Sequence, residues 1–252
     1  MMARQRHIAN ILAIPFSLLA LTALGSDKTG MSWSITPYIW ATETNYDLTA
    51  EGTPIDEGKA TFDDLLDVTD SSFQLAVEAG RTSGHISGFV DVTYLETSDN
   101  YNGKILRIDT DSEQWFIDAA LAYWPGGVGS NLNVFGGIRY TDLDDDFTVK
   151  TLHDGTELLK FGPQRDFLDA LVGIRYRFDL TDRWALLTHA DYAYGDSDGI
   201  FILQALLRFK IGQQGRYGIL LGYRYKEAEQ EESGLDEDYE YKGPVLGLNM
   251  RF

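Results

Sequence analysis

His189 and Asp191 stand two residues apart in the run Leu186-Leu187-Thr188-His189-Ala190-Asp191. In an extended strand, residues i and i+2 share a face, so this spacing sets an imidazole beside a carboxylate. A carboxylate fixes the tautomer of a neighbouring imidazole, and such a histidine can serve as a general base. The pair is therefore the candidate catalytic centre. The simpler reading of a lone histidine beside a carboxylate is a hydrogen-bonded structural pair. The chain has no cysteine, which excludes thiol catalysis, disulfides and Cys-ligated zinc. No serine stands at lipase-like spacing from a histidine. No phosphate loop, dinucleotide fingerprint or zinc motif appears, so no cofactor is expected.

A second kind of chemistry is carried by clustered carboxylates, which suit hard divalent cations. Asp142, Asp144, Asp145 and Asp146 form one cluster, and eight acidic residues between Glu227 and Glu240 form another. Asp63, Asp64, Asp67 and Asp70 form a third, where residues 61–66 are expected to make a short helical turn. Asp196-Ser197-Asp198-Gly199 resembles part of a calcium loop but lacks its twelve-residue frame and closing Glu. Asp144, Asp146, Asp196 and Asp198 are the metal candidates. Solvated loops are the simpler account of the same residues.

The elements that must position these groups are strands. From Met31 onward the sequence alternates apolar and polar with period two. Ten segments follow: Met31 to about Asp47, Ser71–Arg81, Ile86–Thr97, Glu113–Trp124, Leu132 to about Phe147, Arg165–Phe178, Arg183–Tyr194, Ile200–Ile211, Arg216–Glu227 and Tyr239–Phe252. Their connections alternate between long, acidic stretches and short turns, the layout of an outer-membrane barrel with long loops outside. The expected fold is an all-β, antiparallel transmembrane barrel of ten strands, with eight or twelve as alternatives, both ends periplasmic. A soluble barrel would also alternate. Here the apolar rows have aromatic ends around small aliphatic centres, as a lipid-facing band requires.

The opposite row points into the lumen and carries the charge. By parity it holds Glu78, Arg81, Asp91, Asp118, Arg139, Asp169, Arg175 and Arg177, then His189, Asp191, Gln204, Arg208, Lys210, Arg224, Lys226 and Arg251. A small barrel has little room beyond its own side chains, and buried charges must be paired. A structural ion-pair network is the first reading of this row. The alternative is a narrow, porin-like polar conduit. Basic residues outnumber acidic ones, so an anionic solute would be favoured.

Residues 1–25 read as a secretory signal peptide, with Arg4, Arg6 and His7 before an apolar stretch from Ile8 to Leu24 and cleavage expected before Ser26. Residues 26–252 are then the barrel. Removing two basic and no acidic side chains takes the net charge from −18 to −20. So acidic a chain is a poor ligand for nucleic acid.

The first strand reads Trp33-Ser34-Ile35-Thr36-Pro37-Tyr38-Ile39-Trp40. The last reads Gly243-Pro244-Val245-Leu246-Gly247-Leu248-Asn249-Met250-Arg251-Phe252. Together they resemble a broad group of proteobacterial outer-membrane barrel proteins. The likeness covers the mature chain in layout, but its specific residues lie at the two ends. It implies a small barrel in a Gram-negative outer membrane, among lipid and lipopolysaccharide, and brings no catalytic residues. Phe252, ending an apolar row, resembles the signal read by the barrel-assembly machinery. Pro37 and Pro244 each remove a ladder hydrogen bond, so a bulge is expected at the seam. Omptin-type proteases use His and Asp pairs near the outer rim; the order and neighbours of His189 depart from that pattern. The reading is thus a structural or interaction barrel, or one with a narrow pore for small polar solutes. Its rivals are a barrel-embedded hydrolase acting on lipid or peptide, and a barrel binding cations or surfaces through acidic loops.

Overall fold

A computed structural model describes residues 30–50, 53–60, 69–102, 106–151, 153, 155–162, 164–212, 215–232 and 235–252. The expected signal peptide and the expected turn at 61–66 lie outside these residues. No helix occurs among the described residues; the chain is one antiparallel sheet closed on itself.

Ten strands form the ring, in the order β1 (Met31–Trp40), β4 (Thr69–Arg81), β5 (Ile86–Asn102), β6 (Leu106–Tyr123), β7 (Leu132–Thr151), β9 (Gln164–Asp179), β10 (Trp184–Gly195), β11 (Gly199–Ile211), β12 (Tyr217–Glu232) and β13 (Leu235–Arg251). The ring closes where β13 returns to β1, through pairs such as Ser34↔Arg251 and Tyr38↔Gly247. Phe252 finishes the seam, exchanging two 3.0 Å backbone hydrogen bonds with Trp33. Three further strands lie off the ring. β2 (Glu43–Ala50) and β3 (Thr53–Ala60) form a hairpin on the upper part of β13, and β8 (Glu157–Phe161) pairs β7.

The prolines interrupt the seam without shifting it. Pairing of β1 with β13 skips residues 36–37, then Trp40↔Val245 hands over to Glu43↔Lys242 in the same register. The expected bulge is therefore absent from these pairs. Proline withholds a donor but adds no residue, so a gap in the ladder suffices. Beside the second gap the strands approach so closely that a Cβ on Gly243 would lie 1.8 Å from the Ala41 carbonyl oxygen.

Several stretches expected to be polar loops are strand. β5 and β6 remain paired to Asn102↔Arg107, β6 and β7 to Leu106↔Thr151, and β12 and β13 to Glu232↔Leu235. β7 has 20 residues, about twice the ~9–11 that a tilted strand needs to cross a membrane. Above the hydrocarbon both faces of a strand meet polar surroundings, so alternation fades while backbone pairing continues. The acidic residues Asp142 to Asp146 thus alternate between the faces of β7 rather than clustering on a loop.

The outer surface is a band of exposed Leu, Ile and Val. Leu121, Ile138, Val172, Leu203, Ile219, Leu221, Leu246 and Leu248 all lie in it. Aromatics rim both edges: Tyr123, Tyr176, Phe178, Trp184 and Tyr217 beside the short turns, and Tyr192, Tyr194, Phe201 and Tyr223 toward the long hairpins. An exposed apolar belt of this size between two aromatic girdles is the surface of a transmembrane barrel. No helix among the described residues is long and apolar enough to cross a membrane; the strands do so.

Candidate functional site

The lumen is filled at mid-height by charge. Asp118 on β6 and Arg139 on β7 are register partners, and Arg139 grips both carboxylate oxygens at 2.7 and 2.8 Å. The same guanidinium reaches Asp191 on β10, two strands further round the wall, at 3.1 Å, and Asp191 holds His189 Nε2 at 2.5 Å. Arg139 keeps only 2% of its surface exposed. A second group lies alongside. Tyr38 donates to Asp91 at 2.7 Å, and Arg224 donates to Gln204 at 2.7 Å and to Tyr38 at 3.3 Å. Asp91 and Asp118 are themselves cross-strand partners, a carboxylate pair that sequence spacing did not reveal. Each is answered by its own guanidinium, Arg224 at 3.7 Å and Arg139 at 2.7 Å. Lys226, also buried, packs its ammonium 4.0 Å from the ring centre of Phe116.

Apolar side chains pack around this layer. Phe89, Phe135, Leu171, Ala193, Ile200 and Ile202 form one cluster; Tyr38, Leu206, Leu220 and Val245 form another. Buried charge of this kind costs desolvation and persists only when paired and hydrogen-bonded.

Below the charged layer, toward the short turns, a cavity of about 210 Å³ opens. Tyr38, Asp91, His189 and Arg224 meet it from the charged layer, and Asn131, Arg177 and Arg251 line it near the mouth. Arg175 crosses its wall, with two 3.1 Å bonds to Glu78 and a place 4.5 Å above the Phe89 ring. Glu78 in turn accepts from Ser87 at 2.6 Å, and Trp124 Nε1 donates to Ser87 at 2.8 Å. At the mouth, Arg177 donates to Asn131 at 2.6 Å and contacts Asp179 at 3.3 Å. Arg208 and Arg251 both donate to the one Asn249 side-chain oxygen, at 2.9 and 3.1 Å.

The lumen residues expected from sequence do not form one network. Glu78 and Arg175 form one pair, Asp91 and Arg224 a second, and Asp118, Arg139, Asp191 and His189 a third group. Asp169 on β9 is the register partner of Arg139, but its carboxylate accepts from the backbone and hydroxyl of Ser197, both at 2.9 Å, and clips the β10–β11 loop inward. Arg177 lies at the mouth, whereas Arg208 is buried and reaches the cavity only through Asn249. Arg81 does not belong to the inward row; it has the opposite parity to Glu78 on β4 and is exposed. Sequence reasoning places Asn249 inside with Arg251 but passes over Tyr38, Ser87, Trp124 and Asn133. All are neutral, and only their place on inward parity pointed to them.

His189 lines the cavity, but no Ser, Thr or Tyr hydroxyl bonds to it among the described residues. Its carboxylate partner is shared with Arg139. The metal candidates are not gathered either. Asp146 pairs with Lys160 at 3.2 Å, Asp144 is exposed on β7, and Asp196 accepts from the Leu168 backbone at 3.0 Å. The backbone of Asp198 donates to Glu229. Among the described residues no group of three or more potential ligands could hold a metal ion.

The hairpins above the band carry their own clamps. Asp109 accepts from Lys150 and Arg107, each at 2.5 Å, and these bonds, that of Lys150 foremost, hold its carboxyl below the usual carboxylate range. The clamp is therefore present at neutral pH and released as acid protonates Asp109.

No protein-family model matches the chain. No curated protein matches it either. Solved structures do. The outer membrane protease OmpT from Escherichia coli is similar with a TM-score of 0.55 at 9% identity, over 88% of this chain and 96% of that one. The beta domain of the Bordetella autotransporter BrkA gives 0.42 at 12%, over 88% and 98%. Ail, the attachment invasion locus protein of Yersinia pestis, gives 0.41 at 10%, over 88% and 99%. The fold is that of an outer-membrane barrel. At such identities the likeness speaks to the fold alone.

Proposed function

We propose that this protein is a non-enzymatic outer-membrane barrel, sealed at mid-height, that acts at its two ends rather than as an open pore. The observation that carries the reading is Arg139, which spans from Asp118 to Asp191 with almost no exposed surface. A conducting lumen would keep such a group in water. The flanking apolar clusters narrow the passage further. Export through a cleaved signal peptide, delivery by the assembly machinery through Phe252, and a setting of lipid and lipopolysaccharide complete the reading. The likeness of the first and last strands to a group of proteobacterial outer-membrane barrels supports this setting. The strand-built upper hairpins, rich in carboxylates, are the surface such a barrel presents to the outside and to any divalent cations there.

The test is electrical. Purified, refolded protein added to a planar bilayer is expected to insert without stable conductance steps. Reproducible steps at ordinary salt and voltage would overturn the sealed reading and favour the narrow pore.

A further inference from the structure

The cavity below the charged layer is asymmetric in chemistry. Its mouth and one wall carry Arg175, Arg177 and Arg251, while Leu187, Leu206, Leu220 and Val245 form an apolar side. The charges do not cancel. Glu78 answers Arg175, and Asp91 answers Arg224. Among the described residues Arg251 makes no ion pair: its guanidinium donates to Asn249 and its backbone N–H to the Arg216 carbonyl, while Glu78 and Asp179 act on it only from longer range. Arg208 is in the same condition, bonded to Asn249 and to the Gly215 carbonyl. Asn249 is held in turn by donating to Ser34 and Thr36, at 2.9 and 2.8 Å. Two guanidiniums therefore converge on one neutral oxygen at the edge of a cavity, with Arg177, which keeps Asp179 at 3.3 Å, on its rim. Arg208 and Arg251 have no carboxylate within ion-pair reach among the described residues; positive charge in excess of its counter-charge is stabilised by an anion, and guanidinium suits carboxylate and phosphate.

We propose that this basin binds a small amphipathic anion, its compact acidic head on Arg251 and Arg177 and its apolar part against Leu187, Leu206, Leu220 and Val245. The proposal rests on the sealed barrel, because the charged layer makes the cavity blind. At about 210 Å³ it has room for about seven waters at ~30 Å³ each. That suits a single small molecule and excludes a polymer. Being blind on the outer side, the basin draws its ligand from the periplasm.

Benzoate is a suitable probe, with inorganic phosphate and benzyl alcohol isolating head and body. Calorimetric titration of the refolded full barrel is expected to give saturable benzoate binding. Phosphate and benzyl alcohol should each bind at least about tenfold more weakly. Arg251→Gln should weaken benzoate at least about tenfold, the effect of one lost charge-assisted hydrogen bond. Folding is checked by resistance to detergent unfolding without heating; if Arg251→Gln does not fold, Arg177→Gln carries the same expectation. Three results would overturn the site: no saturable benzoate binding, unchanged affinity in the folded variants, or phosphate or benzyl alcohol binding as well as benzoate. Conductance read on the same preparation separates the two claims. A silent barrel that ignores benzoate removes the basin site and leaves the seal standing.

Discussion

Asp118→Ala is expected to destabilise the barrel by about 3–5 kcal/mol, the cost of leaving one partner of a buried ion pair uncompensated. Arg139 would then keep only Asp191, at 3.1 Å, and would remain in a site where 2% of it meets solvent. Urea unfolding in lipid, followed by tryptophan fluorescence, measures the loss. The account also predicts a rescue. The triple change Asp118→Leu, Arg139→Met and Asp191→Asn removes the three charges together, so no buried carboxylate is left without its cation, and such replacements are often neutral or better. Recovery of most of the lost stability would mark the group as a plug rather than a required polar track. A single variant as stable as the parent would mean that the mid-lumen is wet, and the seal would fail with it.

The second large effect lies on the other face of the wall. Leu221→Arg is expected to cost about 2–4 kcal/mol, the penalty for arginine near the middle of the hydrocarbon band. Leu221 is 58% exposed and sits centrally in the row Tyr217, Ile219, Leu221, Tyr223. The same change at Asp111, exposed on β6 above the band, should stay within about 0.5 kcal/mol. The contrast between the two sites matters more than either value. In a water-soluble barrel an exposed leucine could become arginine at little cost, so equal effects would contradict the membrane assignment.

The sequence carries the parts of this structure that depend on parity. Period-two alternation locates ten ring strands and sorts Leu246 and Leu248 from Asn249 and Arg251, because lipid on one side and lumen on the other enforce it. Where that constraint ends, legibility ends too. On the parity that faces lipid lower down, residues 98–102 and 106–112 are polar (Ser98, Asn100, Arg107, Asp109, Asp111), so they read as loop although their backbones pair as strand. The candidate site divides the same way. Parity places Asp91, Asp118, Arg139, His189 and Asp191 inside, but it does not say which carboxylate meets which guanidinium. That depends on registers between strands distant in sequence, as when Arg175 reaches Glu78 over 97 residues. Neutral partners such as Asn249 and Tyr38 carry no charge to draw notice, yet they determine which arginines stay unanswered. Arg81 ends β4, where parity is a weak guide, and it lies on the outer face rather than in the lumen.

The most direct test of the seal uses the absence of cysteine, which lets a single introduced thiol report its own exposure. Leu187→Cys puts a thiol on the cavity below the charged layer, and Asp111→Cys puts one on the outer hairpins. Each variant is reconstituted into vesicles in mixed orientation, and a small charged thiol reagent is added outside. The account predicts complementary labelling: the fraction reacting at position 187 equals the fraction left unreacted at position 111. Complete labelling at position 187 in intact vesicles would show a path through the lumen and contradict the sealed barrel.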